Sequence, residues 1–323
     1  MTMRLQSIEH FITIVETGSI RGAARMLGMS QPALTRSLQQ LESDLGVLLM
    51  QRGVHGASLT LEGTTFLVRA RVAHAELSKA VEEAKNVNNA ASALVNIGLS
   101  PVAGSLVLPE FFTRLHRQQP NTRIRILQMA PSTLLSMVRE SAADFALTQR
   151  TKANIDAGLQ FHPLFDVQLR IGARPGHPLA GRRDLHELAN AKWLAPTAPG
   201  ISDDIISQSF LAIGLPAPVP MVHCGSNHIL IDLATESDML VPLPSPLLRS
   251  CVEDGRLIEI PLGKPLVPLI VGLYTRTNSL PNLVTQTTIH IIVDIARRLS
   301  ISGELRSTAP IPTGRKSSHP ASV

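Results

Sequence analysis

The chain has 323 residues, 44% of them apolar and 17% charged, with a formal charge of +5 and a pI near 9.7. At roughly 100–200 residues per domain, two or three domains are expected, with enough apolar residues for real cores, which excludes a chain disordered throughout. No run of about 18 uncharged apolar residues and no basic, then apolar, leader is present, so neither a spanning helix nor a secretory signal is expected. A cytoplasmic protein is the expectation that remains.

The first sixty residues read as three short helices. Leu5, Ile8, Phe11, Ile12 and Val15 share one helical face, and Gly18 stops that helix. Ser19 is placed to cap a second helix over 20–27, which would bury Ala23, Ala24 and Leu27. After a break at Gly28-Met29, Ser30 caps a third helix, with Pro32 in its first turn, Leu34, Leu38, Leu41 and Leu45 inward, and Gly46 at its end. A short helix, a tight turn and a longer helix form the pattern of a helix-turn-helix. A three-helix bundle with no ligand is the competing reading.

The outward face of the third helix favours DNA. It presents Gln31, Thr35, Arg36, Ser37 and Gln39, with no acid before Glu42. Gln and Arg pair bidentately with adenine and guanine edges in the major groove, and acids would repel phosphate. Gln31, Pro32, Thr35, Arg36 and Gln39 are therefore the candidate base readers, beside the cap residue Ser30. Ser19 and Arg21 are candidates for phosphate, although Arg21 and Arg25 read equally well as solvated charges. The Gly-rich stretch 50–60, MQRGVHGASLT, reads as a hairpin wing that brings Arg52 and His55 to backbone or minor groove.

Residues 61–91 read as one long helix. Phe66, Ala70, Ala73, Leu77, Ala80, Ala84, Val87 and Ala91 alternate four and three apart, an a/d seam that suits a close-packed helix dimer. From Leu94, strand and helix patterns alternate: 94–100, 123–128 and 144–148, then 166–174, 193–196, 219–224, 239–244 and 268–275. Helices are expected between them near 111, 134–139, 185–189, 205–213 and 229–235, and a closing helix over 281–299. Such alternation predicts parallel sheets covered by helices, here as two α/β subdomains of residues 92–302 sharing a cleft. The last stretch, 303–323, is rich in Ser, Pro and Arg and is expected to be a disordered tail.

In Phe11, Gly18-Ser19, Ala23-Ala24, Leu27, the run Ser30–Thr35, Leu41-Glu42, Leu45-Gly46, Leu49, Arg52, Leu59-Thr60 and Gly63, the first sixty residues resemble the LysR-type transcriptional regulators. Over 92–302 the similarity rests on the order of elements and on the turn His177-Pro178-Leu179-Ala180. Two departures stand out: Met50 where the family usually has Phe, and Glu236-Ser237-Asp238 where a Gly-rich turn is usual. The resemblance implies three parts: a winged helix-turn-helix over 1–60, a dimerising linker helix over 61–91 and a periplasmic-binding-protein-like α/β effector domain over 92–302. It also implies a homodimer through the linker, often a tetramer, and a small, frequently anionic co-inducer between the subdomains.

Ser100-Pro101-Val102 closes the first strand of that domain at a helix start, where a hydroxyl and free N–H groups could hold a carboxylate. By position in the family, Thr148, Ser202 and Ser226 line the same cleft, with Met129 and Phe165 as apolar walls. Each Ser reads more readily as a plain helix cap, and core packing is the safer reading of both Met129 and Phe165. The eleven His have no metal-ligand spacing, so no metal is expected. Two cysteines, Cys224 and Cys251, cannot build a disulfide framework or a zinc site. A redox switch like that of the family's peroxide sensors lacks a thiolate-activating context.

An enzyme is the rival class, but no P-loop, dinucleotide-binding or nucleophile-elbow pattern occurs. A secreted solute-binding protein would lack the N-terminal motif, and a purely architectural DNA binder would not need about 210 residues of α/β domain.

Overall fold

The computed structural model describes residues 4–53, 56–86, 94–150, 158–196, 205–277, 279, 281–301 and 306–307. It divides into two compact units, the first formed by Met1–Ser92 with Arg139–Ala142, the second by the rest.

The first unit opens with helices α1 (Leu5–Thr17), α2 (Ile20–Met26) and α3 (Gln31–Leu45). Gly18, at φ 67°, ends α1 in the left-handed conformation that an L side chain resists. The Ser19 hydroxyl accepts the Gly22 N–H at 3.0 Å and starts α2, and the Ser30 hydroxyl accepts the Ala33 N–H at 3.3 Å and starts α3. Phe11, Ile14, Ala23, Leu34 and Leu41 are fully buried where the three helices meet. Val15 packs partly buried against the same core beside Ile14, and Leu5 lies out at 46% exposure. The hairpin β1 (Met50–Gly53) and β2 (Gly56–Leu59) pairs antiparallel, Met50 opposite Leu59. Met50 is partly buried against the helical core, as a substitute for Phe should be.

Helix α4 (Leu61–Asn86) follows at once. It lies so close to the hairpin that a Cβ on Gly63 would stand 1.9 Å from the Leu49 carbonyl oxygen. Its first turns add Phe66, Leu67 and Ala70 to the core of the same unit, the Phe66 ring 5.8 Å from that of Phe11. The a/d seam is therefore divided. Phe66 and Ala70 serve the unit itself, while Ala73, Leu77, Ala80 and Ala84 are exposed. Val87 and Ala91 lie outside the described residues.

The second unit carries two sheets. The first contains β3 (Leu94–Leu99), β4 (Arg123–Gln128), β5 (Phe145–Gln149), β6 (Leu159–Val167), β12 (Leu269–Arg276) and β13 (Arg306–Ser307), in the order β13-β6-β12-β5-β3-β4. Helices α5 (Pro101–Gln118), α6 (Pro131–Arg139) and α10 (Leu283–Ile301) accompany it. The second sheet has β7 (Leu169–Ala173), β8 (Lys192–Ala195), β9 (Val222–His223), β10 (Met239–Pro244) and β11 (Ile258–Ile260), in the order β11-β7-β10-β8-β9. Its helices are α7 (Ile205–Leu211), α8 (Asn227–Thr235) and α9 (Ser245–Glu253), with a single 3-10 turn at Leu185–Leu188 where a helix was expected.

Both sheets are mixed, which corrects the all-parallel expectation. β4 and β5 run parallel to β3, and β9 and β10 to β8, but β12 is antiparallel to β5 and β6, and β7 to β10 and β11. The cause is the route of the chain. It leaves the first sheet between β6 and β7, where only Gln168 separates the strands, and returns between β11 and β12. Gln168 Nε2 donates to the Leu266 carbonyl at 2.8 Å, so the outgoing and returning segments are tied together. The Gln168 carbonyl accepts from the Ser245 N–H at 2.9 Å, and the Val267 N–H donates to Ser209 Oγ at 3.2 Å.

Candidate functional site

In the first unit, α3 exposes Gln31, Pro32, Arg36 and Gln39 along one side. Residues four apart on a helix lie one turn above each other, so these side chains form a continuous stripe. Thr35 is half-buried, its hydroxyl donating to the Gln31 carbonyl at 2.9 Å. Ser30 and Arg21 are exposed and Ser19 is half-buried, with both serine oxygens engaged as caps. The hairpin holds Arg52, whose side chain lies outside the described residues, as does His55.

Ser37 does not belong to the outward stripe. It turns inward to His10 Nδ1 at 2.7 Å and donates to Ser7 Oγ at 3.4 Å, a polar link between α3 and the buried face of α1. Glu42 is likewise directed away from the stripe. Its Oε1 accepts from the backbone N–H groups of Leu49 and Met50, at 2.8 and 3.1 Å, and so fixes the hairpin to α3. The first acid of the helix is spent on the wing and leaves the stripe free of carboxylates up to Gln39.

The second unit holds a cavity of about 400 Å³ where the two sheets approach. Pro101 and Val102 of α5, Gln128–Pro131 at the end of β4 and Gln149 of β5 line it from the elements of the first sheet. Leu169 of β7, Pro196, Ile205, Ile206, His223–Gly225 and Asn227 line it from those of the second. Asn227 Nδ2 reaches the Pro101 carbonyl at 3.4 Å, a polar bridge across the mouth. The lining is mainly apolar, and its polar members among the described residues are Gln128, Gln149, His223, Cys224 and Asn227.

Of the residues expected here, Pro101, Val102 and Met129 line the cavity, and Met129 is half exposed in it. Ser100 and Ser226 do not line it. Each is the N-cap of its helix, accepting from the Ala103 N–H at 3.3 Å and the Ile229 N–H at 3.4 Å, and Ser100 is fully buried. Thr148 is also fully buried and outside the wall, and it donates to Gln149 Oε1 at 3.1 Å. Phe165 is core, and Ser202 lies outside the described residues.

The sequence reading missed Gln128 and Gln149. Both stand at the carboxyl ends of their strands, where ligands of α/β sheets gather, and that rule would have found them. Asp238, in the atypical Glu236–Asp238 turn, is bonded to Arg174 Nε at 2.8 Å, and His177 Nδ1 accepts the Leu179 N–H at 3.1 Å in its turn.

Cys224 is half-buried at the cavity wall, and Cys251 is buried in the second sheet's core, where burial pushes its thiol above the usual cysteine range. Among the described residues no three His, Cys, Asp or Glu gather to hold a metal, and no helix is long and apolar enough to cross a membrane.

Residues 5–64 match the family model for the bacterial regulatory helix-turn-helix protein of the lysR family, and residues 88–296 match the LysR substrate binding domain. The HTH-type transcriptional regulator GalR of Pseudomonas putida is 27% identical over 274 residues, covering 84% of this chain and 69% of its own. The small neutral protease regulatory protein of Streptomyces coelicolor is 32% identical over 225 residues, 67% of this chain and 70% of the relative. The crystal structure of ArgP from Mycobacterium tuberculosis superposes with a TM-score of 0.67 at 18% identity, over 90% of this chain and 96% of that one. With both family models matched in order over most of its length, the chain belongs to the LysR family of transcriptional regulators and is not an enzyme.

Proposed function

We propose that this regulator binds a pseudo-palindromic operator as a homodimer or a tetramer built from dimers, and that a small organic molecule in the cavity of the second unit controls it. The division of labour is residues 1–60 for DNA, 61–91 for dimerisation and 92–302 for the effector, with 303–323 as a tail. The site of action is the cytoplasm, where operator DNA is found. The observation that carries the DNA reading is the stripe Gln31, Pro32, Arg36 and Gln39, exposed and free of acids because Glu42 is turned to the hairpin. Arg52 extends the surface onto the wing, while Ser19, Arg21, Ser30 and Thr35 flank it.

An anionic co-inducer, the form the resemblance implies, would be held by N–H donors: that of Val102 at the start of α5 and the amides of Gln149 and Asn227. Footprinting on the DNA flanking the gene tests the reading. A protected two-fold site, with affinity falling steeply as salt rises, is expected. Arg36→Ala should weaken specific binding by about 1–3 kcal/mol if the guanidinium reads a guanine. Protection without sequence preference, or an unchanged footprint in that variant, would remove the assignment.

A further inference from the structure

The charge balance of the cavity wall points to the class of ligand. Among the described residues that line it there is no Lys, Arg, Asp or Glu. The nearest guanidinium in sequence, Arg150, stands over the Phe161 ring at 5.9 Å and is not part of the wall. A carboxylate or ammonium in such a place would give up its hydration with no Lys, Arg, Asp or Glu side chain of the described wall to replace it. The body of the wall is hydrocarbon, from Val102, Met129, Pro131, Leu169, Ile205 and Ile206, and rewards apolar surface instead.

One polar group is prepared for a partner. Gln149 is 6% exposed and lines the cavity, and its side-chain Oε1 accepts from the Thr148 hydroxyl at 3.1 Å. Because the Thr148 hydroxyl donates to the oxygen, the amide is oriented with Nε2, a donor of two N–H bonds, left for something else. A ligand oxygen entering the cavity is the group that would accept from it.

We propose that the cavity takes an uncharged, mainly apolar molecule carrying a hydrogen-bond acceptor, such as a carbonyl oxygen, that Gln149 Nε2 engages. The proposal rests on the reading of this cavity as the effector site and revises the charge of the ligand. Thr148 acts through Gln149 and does not touch the ligand.

A matched pair of probes tests it on the full chain: methyl 2-naphthoate, which is neutral, and 2-naphthoate, which is anionic at pH 8 on the same ring system. Trp193, the single tryptophan, is buried beside Phe210 of α7 and reports binding by quenching, with thermal shift as a second readout. The ester should bind saturably and at least tenfold tighter than the acid. Gln149→Leu should weaken the ester about fivefold, the order of one hydrogen bond. Met129→Arg, at a half-exposed wall position, should narrow the gap by favouring the acid.

An acid that binds as well as the ester, or no saturation by either, would overturn the proposal. An ester that binds Gln149→Leu as it binds the wild type would overturn the role of Gln149. If the ester binds and the operator footprint never changes, the ligand class stands and the effector reading falls. If the acid wins and the footprint shifts, the effector reading stands and the ligand class falls.

Discussion

Replacing Gly63 with Ala sets two opposed effects against each other at one site. As a helix residue, Ala is better than Gly by about 1 kcal/mol, so propensity alone predicts a more stable protein. The packing predicts the reverse. The new Cβ would lie 1.9 Å from the Leu49 oxygen and 2.8 Å from its carbonyl carbon, and side-chain Cβ atoms essentially never approach closer than 3.0 Å. Helix and hairpin would have to part by about 1.1 Å, the difference of those two distances. The parting strains three bonds at once. Leu49 O accepts from the Thr60 N–H at 3.0 Å, Thr60 Oγ1 accepts from the Gly63 N–H at 2.8 Å, and that hydroxyl donates to Leu48 O at 2.7 Å.

Overpacking costs about 1–3 kcal/mol and a weakened hydrogen bond about 1 kcal/mol, against about 1 kcal/mol gained in the helix. The net expectation is a loss of about 2 kcal/mol in the first unit. Urea unfolding followed by far-ultraviolet circular dichroism measures it. Trp193 lies in the second unit, so its fluorescence transition should stay in place and serve as the internal control. A Gly63→Ala protein about 1 kcal/mol more stable than wild type would refute the close approach.

Three further outcomes follow from the same structure. Ser30→Ala removes the cap of α3 and should cost about 1 kcal/mol in the dichroism transition, whereas Ser30→Gly should cost only a few tenths; equal losses would mean that the hydroxyl does not cap. Leu77→Lys places a charge on an already exposed position, so the subunit should fold normally while light scattering falls to the monomer mass; an unchanged mass would move the interface elsewhere. Iodoacetamide at pH 8 should label Cys224 first and Cys251 only after denaturation. The buried thiol's raised pKa keeps it protonated there, and only the thiolate attacks. Equal labelling rates would contradict that burial.

The helix-turn-helix is legible in the sequence because each of its parts is a local signal: a three-four apolar rhythm, Ser19 and Ser30 before their helices, and Gly18 and Gly46 after them. Ser37 misled because it sits on α3 one position from the stripe, and only the partner at His10 shows that it turns in. Strand β6 escaped because its sequence, LQFHPLFDV, breaks alternation at Pro163. The ladder with β12 slips there, pairing Val271 with Phe165 and Gly272 with Pro163. Gly272 is what makes the slip possible, since a Cβ on it would meet the His162 carbonyl oxygen at 2.4 Å. Strand direction is absent from any periodicity, so the antiparallel β7 and β12 had no sequence signal. At the effector site, family position favoured serines that cap helices, while the wall depends on which side of β5 Gln149 faces. That is decided by tertiary packing.

Because Gly63, Phe66, Leu67 and Ala70 fuse the start of α4 to the core of its own unit, the helix is a strut with no swivel at its root. Each residue along it advances the axis by about 1.5 Å and turns it by about 100°. In the proposed dimer, the spacing and phase of the two reading heads would thus be written in the length between Ala70 and the exposed seam. The residues that touch bases would not set it. A one-residue insertion after Ala70 would throw the heads out of phase while leaving every DNA contact intact. Insertion of a whole heptad would leave only about 20° of misrotation. In that dimer, operator spacing would be a property of α4 and not of the reading stripe on α3.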